Sequence, residues 1–188
     1  MVVLDRIDAA DLQAYRSVIE SMPDGGRDAS GLLNSVPEMQ ARPRSELLQY
    51  FFGCEVLHGS LDGVVERPTN AELIQDARLK ASDNLADARH YLLFPHDLAQ
   101  KVHSLRYPFK ECVYALQAWM LATSATFLAR REDLLRALTD PDDKLVVTVV
   151  RDWGKTQADR EARPLYYVEL LERWSRQMLL WIGRVATE

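Results

Sequence analysis

The 188-residue chain has only two cysteines, Cys54 and Cys112. Two are too few for the disulfide framework of a small secreted domain, and their separation is no metal-ligand spacing, so reduced thiols of a cytoplasmic protein are expected. Glycine is equally sparse, at eight residues. None of them builds a glycine-rich phosphate loop of the Walker or dinucleotide type, and G-x-S-x-G, H-E-x-x-H and paired C-x-x-C motifs are all absent. Most familiar enzyme classes lose support, and no catalytic residue can be named. No apolar run approaches the roughly twenty residues of a membrane span, and MVVLDRIDAADL lacks the basic-then-apolar order of a signal peptide, so no membrane association is expected. Basic excess is missing too. With 23 basic against 28 acidic residues the net charge is -5, which offers no broad attraction for nucleic acid. Of the four histidines, His96 and His103 share one helical face, but seven residues rise about 10 Å, too far for one ion. No metal site is expected.

What the chain does have is apolar residues at helical spacing. At 47% hydrophobic it can bury a sizeable core. Val2 to Leu4 is a short β-prone run. Asp8 then precedes a helical pattern of Leu12, Tyr15, Val18, Ile19 and Met22, which Pro23 stops. Pro23 to Asn34 reads as a surface loop. RSELLQYFF, after Pro43, suggests a short helix with Leu47, Leu48, Phe51 and Phe52 inward, ended by Gly53. Residues 58 to 68 read as a connection. Thr-Asn-Ala-Glu at Thr69 has the form of a capping box and opens a long helix that Pro95 interrupts after Phe94. Helix resumes from His96 to Tyr107. Further helices are expected over Arg131 to Leu138, over Lys144 to Trp153 and from Pro164 onward, with a looser stretch between Lys155 and Arg163.

The organising stretch is Pro108 to Arg130. Phe109, Val113, Leu116, Met120, Thr123 and Phe127 step by three and four, so one stripe should face a core. Beside it Lys110, Tyr114 and Gln117 should project together, and Arg106 stands one turn before Lys110. A cation for phosphate or carboxylate, a ring to stack and an amide for a sugar or base make these four the candidate substrate-binding residues. Merely solvating the bundle would use the same residue types. The four tryptophans, Trp119, Trp153, Trp174 and Trp181, are expected in packing roles.

Arg89 and His96 enclose six residues, a spacing that resembles the R-x(4–6)-H nuclease motif of HEPN-domain toxins. That resemblance implies Arg89 on a scissile phosphate and His96 in proton transfer, an alternative reading as a ribonuclease or toxin-antitoxin component. A broader likeness rests on the order of several segments. These are Ser21-Met-Pro-Asp24, Arg42-Pro-Arg-Ser-Glu-Leu-Leu48, LHGSLDG from Leu57, YPFKECVYALQAW from Tyr107, FLARREDLLRAL from Phe127, and Arg151-Asp-Trp153. In that order they resemble the C-terminal part of bacterial nucleotidyltransferase-domain proteins of the DNA polymerase β superfamily. The family uses Mg²⁺ and a nucleotide, held by Gly-Ser and D-x-D on an α/β domain. Here no Gly-Ser is closely followed by D-x-D. Gly59-Ser60 does not substitute, because Asp62 follows too closely and without a second acid.

The resemblance therefore implies a mainly α protein. Residues 1–63 would be a remnant of the α/β domain, and residues 69–188 a helical bundle of the substrate-binding or HEPN-like kind. It would be a relative truncated before Met1, inactive in transfer by itself and without a cofactor of its own. It would serve as a module that binds a small molecule or nucleotide, or that pairs with a second copy or another protein.

Overall fold

The computed structural model describes residues 1–23, 32–96, 98 and 102–185. Within them lie nine α-helices, a 3-10 turn and two three-residue strands, so the protein is mainly α. The chain divides into two compact units, Met1–Arg67 and Pro68–Glu188.

The first unit holds β1 (Val2–Leu4), α1 (Ala9–Ser21), β2 (Leu33–Ser35), α2 (Val36–Ala41) and α3 (Leu48–Gly53). β1 and β2 pair in parallel, Val2 opposite Leu33 and Leu4 opposite Ser35. Parallel strands cannot be joined by a hairpin, so the chain crosses over through α1. That helix begins at a capping box in which Asp8 and Asp11 serve each other's backbone N–H. Its apolar stripe is only partly covered, with Tyr15 and Ile19 half-buried. Leu12 and Val18 are 53% and 52% exposed, and no residue of α1 is buried.

Part of the expected loop after Pro23, residues 24–31, lies outside the described residues. Its end, Leu33–Ser35, is strand instead, and Ser35 goes straight on to cap α2. The Ser35 hydroxyl and the Glu38 carboxylate form the reciprocal box, and Pro37 stands where its missing N–H costs nothing. α3 starts at Leu48, later than Pro43 suggested. Leu47 and Leu48 are buried, but Phe51 and Phe52 are not inward. They stack edge to face on the surface. Met39, Leu47 and Val65 form this unit's small core, with Val3, Tyr50, Leu61 and Val64 around it.

The second unit is a helical bundle of α4 (Asn70–Leu93), a 3-10 turn (Val102–Leu105), α5 (Arg106–Ser124), α6 (Arg131–Ala137), α7 (Pro141–Arg151), α8 (Gln157–Ala162) and α9 (Pro164–Val185). The Thr69–Glu72 capping box opens α4 as its sequence implies. Leu73, Ala77, Ala81 and Ala88 turn its small-residue face inward, and α4 packs along both α5 and α9. The break after Phe94 stands where Pro95 puts it. Of the helix expected over His96 to Tyr107, residues 97 and 99–101 lie outside the described residues, and the rest includes the 3-10 turn.

α5 is the most buried helix and ends earlier than its apolar stripe suggests. Thr123 and Ser124 bond back to the carbonyls of Trp119 and Met120, and Ala125 follows in the left-handed region at φ 54°. Side-chain hydroxyls that compete for helix carbonyls weaken the last turn, and a left-handed residue stops it. Thr123 is therefore exposed, and Phe127 lies beyond the helix. α7 begins at Pro141 because Asp140 accepts the N–H groups of Asp142 and Asp143, at 2.8 and 3.1 Å. The stretch read as loose after Lys155 contains α8.

Candidate functional site

Among the described residues, a groove of about 580 Å³ lies between the start of α7 and the last three turns of α9. On α9, Trp174, Gln177, Trp181 and Arg184 recur at intervals of three and four, one stripe of a helix. α7 brings Asp140 and Asp143 against it from more than thirty residues away in sequence. The size falls within the range of small-ligand sites.

Asp143 is the least ordinary group in this groove. Its Oδ1 accepts the Trp174 indole N–H at 2.8 Å, and burial pushes its carboxyl up to about 6, against the pull of that hydrogen bond and with help from Asp140 and Asp142. It is a carboxyl group that can change charge near neutrality. Asp140 uses Oδ1 for the helix cap and accepts the Gln177 amide at 3.3 Å on Oδ2.

Two of the three arginines on the groove are already matched. Arg173 grips Asp142 through Nε and Nη2, at 2.6 and 2.8 Å, which holds the Asp142 carboxyl below the usual range. Arg176 pairs with Glu172 at 3.3 Å. Arg184 has an interaction of its own. Trp181 is 46% exposed and leans on Trp119 of α5, ring centroids 4.8 Å apart. The groove thus presents the exposed Trp181 and Leu180 as apolar surface, with the buried Met178 beneath them, and at one end the carboxylates of Asp140 and Asp143.

The residues singled out in sequence fall elsewhere. Lys110 lies over the Tyr114 ring, 5.9 Å from its centroid, so these two do stand together. Gln117 does not join them. It is 2% exposed, and its amide donates to the Leu128 carbonyl at 2.7 Å, pinning the chain that follows α5. The expected side-by-side trio is therefore a pair, because Gln117 turns into the core to satisfy a backbone acceptor. Arg106 is exposed at the start of α5 and adds to the positive field at Arg160 of α8.

Arg160 itself is 2% exposed. Its guanidinium lies 3.5 Å over the Trp153 ring, Nη1 donates to the Trp153 carbonyl at 2.5 Å and to the Thr156 hydroxyl, and Nε has no partner. This arginine closes the turn after α7. Arg89 is salt-bridged to Glu172 of α9 at 3.2 Å, and His96 is exposed with its ring beside Phe94.

Cys54 is exposed and Cys112 buried, both as free thiols. Among the described residues no three His, Cys, Asp or Glu side chains are grouped to hold a metal ion, and no helix is long and apolar enough to cross a membrane. No family model matches the chain, and no curated protein or solved structure matches it either.

Sequence reasoning did not assemble the groove. The signal available was the α9 stripe, whose tryptophans alternate with arginines and a glutamine, but its acidic wall comes from another helix.

Proposed function

We propose that this protein is a non-catalytic binding module of nucleotidyltransferase ancestry, and that its ligand site is the groove between α7 and α9. The observation that carries the binding reading is the groove itself: a concavity of ligand size with an exposed indole and a carboxyl group displaced to about 6. Ancestry is supported by the ordered sequence segments. The parallel β1–α1–β2 crossover, an arrangement natural to α/β domains, also fits it. Gly59-Ser60 has no D-x-D close behind it, and the D-x-D that the sequence does contain, Asp140-Pro141-Asp142, opens a helix rather than lying on a strand, so the family's metal-binding pattern is not met.

Two other readings are weaker. The Lys110–Tyr114 pair with Arg106 supplies charge and a ring, but these residues do not line the groove between α7 and α9. For the ribonuclease alternative, the Arg89 cation is already matched by Glu172.

The test is a thermal-shift screen with nucleotides, nucleosides and small amines. Ligand-induced stabilisation should survive Lys110→Ala and disappear in Trp181→Ala. The opposite pattern would move the site to the flank of α5.

A further inference from the structure

Arg173 on the groove is committed to Asp142, and Arg176 shares Glu172 with Arg89, whereas among the described residues Asp140 and Asp143 accept from neutral side-chain donors, the Gln177 amide and the Trp174 indole. Desolvation works against the ionised form of the half-buried Asp143, and a ligand that brings a cation offsets it. Beside them, Met178 and Trp181 lie one and two helical turns further along α9. From Trp174 to Trp181 the helix rises about 10 Å. An indole face that is half open to solvent attracts cations as well as apolar groups.

From this juxtaposition we propose that the groove takes an organic ammonium, a protonated amine borne on an apolar or aromatic body. The ammonium would sit between Asp140 and Asp143, with the body along Met178 and Trp181. This inference rests on the groove being the binding site, and it adds the chemical class of the ligand. Arg184 lines the same groove nearly three turns, about 15 Å, beyond Trp174 along α9.

The ammonium binds the ionised form of Asp143, so affinity should follow its titration. The groups that face Asp143 are Asp140 and Asp142 on its own helix, Trp174 and the Asp142-bound Arg173 on α9, and the Cys112 thiol on α5. Arg173 holds the Asp142 carboxyl below the usual range and burial holds the Cys112 thiol well above its own, so neither changes charge between pH 5 and 7.5. Asp143 is then the group that changes.

Calorimetric titration of the intact chain with three probes of one shape tests this: 3-phenylpropylammonium, 3-phenylpropanol and 3-phenylpropionate. The cation should bind at least about tenfold more tightly than the alcohol and more tightly still than the anion. Its affinity should fall about tenfold from pH 7.5 to pH 5, as the ionised fraction of a carboxyl group near 6 does. Asp143→Asn keeps an acceptor for the Trp174 N–H and should abolish most of the cation's advantage. Equal binding of cation and alcohol, preference for the anion, or full cation preference in Asp143→Asn would overturn the ammonium assignment and leave the groove as a site of other chemistry. No binding of any probe at millimolar concentration would overturn both this inference and the binding reading beneath it.

Discussion

At the scale of single residues, Asp143 and Arg160 show what the bundle spends on polar groups it buries. The Asp143 carboxyl is held near 6 in the folded chain against an ordinary value of 3.8. Between those values the folded state binds more protons than the unfolded one, so stability falls as pH rises from about 4 to about 6 and the penalty is complete above that. Asp143→Asn does not titrate and keeps the indole contact. Its stability relative to the parent should rise by ~2–3 kcal/mol between pH 4 and pH 7 and level off beyond. Urea midpoints measured across that range would show it, and a difference independent of pH would contradict it.

Arg160 invites a second substitution. Lysine lacks the flat guanidinium that covers Trp153, and it cannot reproduce the fork that reaches both the Trp153 carbonyl and the Thr156 hydroxyl. Arg160→Lys should therefore lower stability by about 1–3 kcal/mol in chemical denaturation, although charge is conserved.

At the scale of elements, boundaries set by one local signal are better written into this chain than packing partners. The Thr69 capping box, Pro164 and the Pro95 break each act through the residue that carries the signal, and all three stand where the sequence implies. The end of α5 does not follow its stripe. Thr123, Ser124 and Ala125 stop the helix by local hydrogen bonding and a left-handed turn, while the apolar period runs on to Phe127. Ala125 at φ 54° is strained for a residue with a Cβ, so Ala125→Gly should raise stability by about 0.5–1 kcal/mol, read from the denaturation midpoint. No gain would mean that the turn is not the helix stop it resembles.

Legibility fell off where burial depends on a distant partner. Leu12, Val18, Phe51 and Phe52 have the spacing of inward residues and yet are exposed, because spacing states which residues share a face and not whether anything covers it. Gln117 is the converse, a polar residue drawn inside by one carbonyl eleven residues ahead. The groove was illegible for the same reason. Its indoles are periodic on α9, but Asp140 and Asp143 reach it only through the packing of α7 on that helix.

At the scale of the whole molecule, a parallel β-α-β unit and a helical bundle follow each other in one chain, and the binding reading belongs to the bundle alone. Incubation with labelled nucleotides, Mg²⁺ and candidate acceptors should yield no transfer by this chain, since its sequence does not meet the family's metal-binding pattern. Label incorporated above the protein-free control would contradict that. The central claim, that the bundle binds its ligand between α7 and α9, is tested most directly by the four tryptophan indole N–H resonances, assigned by single Trp→Phe substitutions and followed as ligand is added. The account predicts that Trp174 and Trp181 shift with saturation while Trp153, stacked under Arg160, stays in place. Binding that moves Trp153 and leaves Trp174 and Trp181 unchanged would contradict it.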